Sequence, residues 1–208
     1  MAEYEDGFRA FDAASIFGAR PRVSSPRKQH GFSIVELLIV VLIILVITGI
    51  SLPSLLRTRR LYQLNSAASD VANILQLTRY EALRRNTVVR CRMQAQGNTS
   101  ILWIDVNNNS AVDPTERALL LPPDVQPLGA GVAPGPSSMS FPSAQLVASG
   151  SIALDARGTV SFGGTPVVYA IYLGNATRPG DGFRAVTLTP MGQTKIWSST
   201  SGGTWHTQ

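Results

Sequence analysis

Hydrophobic and polar positions divide the chain into three stretches of different period. Residues 37–56 carry no charge, and Leu, Ile and Val dominate every side of a helix drawn through them. Such a run leaves no polar face for solvent, and about 20 consecutive apolar residues match the hydrocarbon core of a bilayer. A membrane-spanning helix follows. A secretory signal peptide would close on a small-residue cleavage site, whereas Ile50-Ser51-Leu52-Pro53 runs on into Leu55 and Leu56. Leu61, Leu64, Ala68, Val71, Leu75 and Ala82 then recur at helical spacing, which places them on one face. The pattern predicts an amphipathic continuation over residues 57–86, with Arg57, Arg59, Arg60, Arg79, Arg84 and Arg85 on its solvated side. Basic residues near Arg84 also suit the carbonyl end of that helix.

Beyond Asn86 the period shortens to that of strands. Runs at 88–93, 100–106, 118–121, 151–154, 159–162, 167–173, 185–188 and 194–197 are separated by Gly, Pro and Asn, which predicts an antiparallel sheet domain over residues 87–197. The fold class is α+β: a long N-terminal helix packed on a sandwich-like antiparallel β-sheet domain. Residues 122–142, rich in Pro, Gly and Ser, read as a long surface loop with one short strand at most. Residues 198–208 are rich in Ser, Gly and Thr and read as a flexible tail despite Trp205.

Composition narrows the chemistry. A hydrophobic share of 44% in 208 residues supports a packed core. The net charge of +5 is spread along the chain and permits contact with anionic lipid or nucleic acid. Cys91 is the one cysteine, so no intramolecular disulfide and no Cys-rich metal cluster can form, and it reads as a buried apolar residue within a strand. Of the two histidines, His30 and His206, neither has a triad-like or ligand-like neighbour. No phosphate loop or dinucleotide turn is present, so the chain reads as a non-enzyme that needs no cofactor.

The residues ahead of the apolar run carry more information. Arg27-Lys28-Gln29-His30-Gly31-Phe32-Ser33-Ile34-Val35-Glu36-Leu37 resembles the cleavage and methylation site of type IV prepilins. The resemblance implies that a prepilin peptidase cuts between Gly31 and Phe32 on the cytoplasmic side and methylates the new amine of Phe32. Residues 1–31 would then be a leader, long for the family, and a start placed too far upstream would account for its length. Residues 32–56 would be the membrane part of the helix, with the sheet domain in the bacterial periplasm. Glu36 reaches the same place by physics. A carboxylate within an apolar helix costs on the order of 2.5–3.5 kcal/mol at the bilayer centre, less near the interface, so it calls for a partner. The resemblance implies that the N-terminal amine of a neighbouring subunit supplies it and sets the axial register. Pro53 stands where pilins commonly carry a helix-bending proline. It cannot donate to the carbonyl of Gly49, so a bend or local melting is expected there.

Residues 74–91, Ile-Leu-Gln-Leu-Thr-Arg-Tyr-Glu-Ala-Leu-Arg-Arg-Asn-Thr-Val-Val-Arg-Cys, resemble the GspH/FimT branch of the pilin-like family, in which a helix of this kind runs into the first strand. Trp103 and Asp105 before an Asn-rich turn, Glu116 before Leu119, and Asp155-Ala156-Arg157-Gly158-Thr159 are further echoes. The resemblance implies a minor pseudopilin of a type II secretion system or a type IV pilus, with the peptidase, the membrane and other minor and major pseudopilins or pilins as partners.

Two further sites are candidates. Asp105, Asn107, Asn109, Ala111, Asp113 and Glu116 stand at the spacing of a calcium loop, with Ser110 where glycine is normally required. Calcium is the cofactor this would imply, and an Asx-rich hairpin turn that needs no metal is the alternative. Some FimT-like minor pilins are implicated in DNA uptake through a basic C-terminal strand, which makes DNA an alternative partner here through Arg178, Arg184 and Lys195. Scattered solubilising charge is the competing reading.

Overall fold

In a computed structural model the chain is described over residues 31–141 and 143–208, so the leader expected over residues 1–31 lies, but for Gly31, outside the described residues. Helix α1 spans Ile34–Arg85. Twelve strands follow among the described residues: β1 (Val89–Gln96), β2 (Thr99–Asp105), β3 (Ala118–Leu120), β4 (Gln126–Leu128), β5 (Gln145–Leu146), β6 (Gly150–Leu154), β7 (Ser161–Phe162), β8 (Thr165–Pro166), β9 (Tyr169–Gly174), β10 (Phe183–Leu188), β11 (Thr194–Ser199) and β12 (His206–Thr207). Two compact units are distinguished, Met1–Leu45 and Val46–Gln208, with their boundary inside α1.

The helix is uninterrupted through Pro53, so the local melting expected there does not occur. The proline removes a single donor, and the turns on either side keep theirs. At the other end Asn86 adopts the left-handed conformation, φ 51°. Its amide donates to the Leu83 carbonyl and that of Thr87 to the Ala82 carbonyl, the paired bonds that satisfy a helix terminus and turn the chain into β1.

In the second unit, α1 buries Leu64, Ala67, Ala68, Val71, Ala72, Ile74, Leu75, Thr78 and Ala82. Leu61 is only half-buried. The alanines keep the stripe flat enough for both sheets to contribute to one core. The first sheet has the order β3-β2-β1-β6, and the second β12-β11-β10-β9-β4 with β5 parallel to β9. Val89, Cys91 and Met93 of β1 meet Leu102 and Ile104 of β2, Ile152 and Leu154 of β6, Ile171 and Leu173 of β9, and Val186 and Leu188 of β10 beneath the helix. The burial of alternate residues along β1 is what a half-buried pleated strand requires.

The second sheet is covered on its other face as well. Leu128, Ala133, Met139, Tyr172, Phe183, Trp197 and Trp205 form a second core. The stretch read as a surface loop supplies Ala133 and Met139 to it, and the segment read as a flexible tail supplies Trp205. That tail is folded: β12 pairs with β11, and Trp205 is 3% exposed. Neither segment has a repeating apolar period, because each covers the sheet with isolated side chains rather than with a face.

Cys91 is buried beside Thr78, and burial pushes its thiol up to about 12. A thiol is nucleophilic as its thiolate. Maleimide at pH 8 is therefore expected to leave Cys91 unmodified in the native chain and to label it fully in urea; rapid native labelling would show that the core opens at β1.

Candidate functional site

The N-terminal segment is built from the first helical turn. Ser33 precedes α1, its Oγ accepting the amide N–H of Val35 at 3.3 Å and its carbonyl that of Leu37 at 3.1 Å. These bonds satisfy donors that a helix start otherwise leaves bare. Gly31 and Phe32 are left outside the helix, and Phe32 is 82% exposed. A peptide bond between them is thus in non-helical backbone at an accessible position. Glu36 lies in the first turn, where the amide end of the helix favours a negative charge. Every residue from 31 to 59 is exposed. An all-round apolar helix of this length is stable in lipid or against other apolar helices.

The Asn-rich loop is a self-contained polar knot. Asp105 at the end of β2 is completely buried. One carboxylate oxygen accepts the Asn109 amide N–H at 3.1 Å; the other accepts that of Ser110 at 3.1 Å and a short bond from the Arg92 guanidinium. Glu116 accepts the backbone N–H of Val106 at 2.8 Å and that of Asp113 at 3.4 Å. Asn107 and Asn109 each accept an N–H two residues on and each donate to Asp113. Ser110 adopts φ 67°, as the sixth position of such a loop demands. Side-chain oxygens of Asp105, Asn107, Asn109, Asp113 and Glu116 thus accept hydrogen bonds within the loop, and the positive charge beside Asp105 is Arg92. Among the described residues no three His, Cys, Asp or Glu side chains converge to hold a metal ion. The bonds from Asn107 and Asn109 to backbone N–H groups two residues on are of the Asx-turn kind.

Arg178, Arg184 and Lys195 do not gather on one surface. Arg178, in the β9–β10 connection, is paired with Asp124. On β10, Arg184 turns towards α1, where its Nε donates to Asn65 Oδ1 at 2.7 Å. Lys195 stands opposite Thr187 in the β10–β11 register. Three positions separate Thr187 from Arg184, so the pleat sends Arg184 and Lys195 to opposite faces, and the Lys195 Nζ lies 5.9 Å from the centre of the Phe141 ring.

Two structural residues went unread in the sequence. Arg92 is one of several strand arginines, and although the β1–β2 register sets Arg90 opposite Asp105, it is the diagonal neighbour Arg92 that bonds the carboxylate while Arg90 turns to Asn108. Arg79 belongs to the helix face read as solvated, yet its stem fits between two turns. A Cβ added at Gly158 would come within 2.9 Å of the Arg79 side chain, and one at Gly192 within 2.4 Å of the Gly158 carbonyl. Both glycines have positive φ, 70° and 73°, and Gln76 donates to the Gly192 carbonyl at 3.2 Å. The Asp155-to-Thr159 echo is therefore a turn that receives the helix. Nearby, Glu81 is held below the usual carboxylate range by its bonds to Arg84 and Arg85.

Comparison with known proteins follows this division of the chain. Residues 26–52 match the prokaryotic N-terminal methylation motif, and residues 67–207 match the family described as type II transport protein GspH. A stretch of 90 residues is 37% identical to the pilin-like protein PilA1 of Thermus thermophilus, covering 43% of this chain. That match spans 56% of PilA1, little more than half its length. The crystal structure of the type IV minor pilin FimU of Pseudomonas aeruginosa (strain PAO1) is similar at a TM-score of 0.44 and 15% identity, over 71% of this chain and 93% of that one. With the methylation motif ahead of a match that takes in most of the helix-packed sheet domain, the chain belongs to the GspH family of type IV pilin-like proteins.

Proposed function

We propose that this protein is a minor pilin or pseudopilin that joins the tip or initiating complex of a type II secretion pseudopilus or a type IV pilus. A prepilin peptidase cleaves between Gly31 and Phe32 and methylates the Phe32 amine. The mature chain waits in the bacterial inner membrane with its sheet domain in the periplasm, then stacks its helix among those of other minor and major pilins. One observation carries this reading: an apolar helix exposed on every side begins three residues after Gly31 and holds Glu36 in its first turn. A carboxylate entering an apolar bundle is offset best by a cation of fixed position. The cleaved amine of a neighbouring Phe32 is such a cation, which makes Glu36 a gauge of axial register. DNA capture is less well supported, because Arg178 is neutralised by Asp124 and the other two basic residues face apart.

Two variants test separate steps. Gly31→Leu is expected to remain uncleaved, with its original N-terminus on intact-mass analysis. Glu36→Leu is expected to be cleaved and methylated but to lose cross-linking to other pilins. Normal assembly of either variant would defeat the mechanism.

A further inference from the structure

The helix leaves its apolar run at Leu56 and at once presents Arg57, Arg59 and Arg60. Beside Arg57 a cleft of ≈ 330 Å³ opens towards the second sheet, walled by Asp181, Arg184, Ser198, Thr200 and His206. Its charges do not cancel. Asp181 is taken up by Arg60 at 2.9 Å, whereas Arg57 has no ion-pair partner among the described residues. Arg184 is oriented by neutral groups, its Nε on Asn65 and an Nη on the Phe183 carbonyl at 2.9 Å. Two arginines thus flank the cleft with no acid of their own, next to the hydroxyls of Ser198 and Thr200. Guanidinium pairs with adjacent hydroxyl donors match the oxygens of a phosphate.

The place of the cleft along the chain selects the source of that phosphate. Arg57 is the first residue beyond the apolar run, at the level where hydrocarbon gives way to headgroups and long basic side chains reach lipid phosphate. We propose that this cleft seats the phosphate of an anionic phospholipid while the protein is in the membrane. The proposal rests on the reading of residues 37–56 as a membrane span. A nucleic-acid duplex fits less well, because it needs a continuous basic stripe and Arg178 and Lys195 lie elsewhere.

The test uses the full chain in nanodiscs of phosphatidylcholine with or without phosphatidylglycerol, read by the lipid retained after mild detergent extraction and by the unfolding midpoint. Phosphatidylglycerol is expected to be enriched on the protein and to raise the midpoint. A basic side chain near an anionic surface contributes about fivefold. Arg57→Gln should thus cut the enrichment about fivefold, and the double variant with Arg184→Gln about thirtyfold. Arg59→Gln, outside the cleft, should cut it by clearly less than Arg57→Gln. Equal loss in Arg59→Gln, or none in Arg57→Gln, would overturn the proposal in favour of diffuse surface charge. An equal rise in midpoint from inorganic phosphate, or from a DNA duplex, in phosphatidylcholine discs would assign the cleft to that ligand and reject the lipid. A chain that enters neither disc would refute the membrane span itself, whereas entry into both without lipid preference refutes this proposal alone.

Discussion

Trp205→Ala is expected to lower the unfolding free energy by about 3–5 kcal/mol, the cost of removing a large aromatic side chain from a packed core. The two kinds of side-chain contact that the variant loses set that size. The Trp205 ring stacks on Tyr172 with centroids 5.1 Å apart. Its Nε1 donates to the carbonyls of Pro134 and Gly135, each at 3.1 Å. Its backbone N–H donates to Ser138 Oγ at 2.8 Å, a bond that alanine keeps. Losing the ring therefore unfastens residues 133–139 together with the second core. Trp205→Phe keeps much of the stacking and gives up the indole bonds, a loss nearer about 1–2 kcal/mol. Denaturant titration of the detergent-solubilised chain measures both. A Trp205→Ala midpoint equal to that of the parent would mean that the segment after β11 is merely appended to the sheet.

Arg92→Met is expected to cost a similar amount, about 3–5 kcal/mol, because it strands a buried carboxylate. Asp105 has no exposure of its own, whereas the Arg92 side chain is 21% exposed. The pair is therefore asymmetric. Asp105→Asn leaves an arginine that can turn to water and retains an oxygen for one of the two loop amides, so its loss should be smaller. The double variant should fall short of the sum of the two, since neither charge is then left alone. Strict additivity in that cycle, read from urea unfolding, would show that the two side chains do not interact.

Much of this architecture is legible in the sequence because it repeats. The apolar run, the helical stripe from Leu64 to Ala82 and the alternation along β1 each depend on neighbours a few residues away. What escapes such reading depends on partners far along the chain. Trp205 gains its meaning from Pro134 and Tyr172, and β5 from β9. Arg92 bonds Asp105 on the diagonal, whereas Arg90, directly opposite Asp105, bonds Asn108. The candidate site divides in the same way. Gly31, Phe32 and Glu36 stand in one short motif and are read directly. Arg57 and Arg184 are brought to one cleft by the docking of β10 on α1, which no local spacing announces.

The second core also imposes an order of events on a chain made from one end. Residues 200–207 are synthesised after every strand they cover. Until they are made, Tyr172 and Trp197 lack their cover and β11 has an open edge. A growing chain is thus tethered early by its helix and sealed late by its tail. For that interval it is vulnerable to strand pairing with other incomplete copies. A copy cut short before Trp205 would present an aromatic face and a bare strand, which set it apart from a finished subunit.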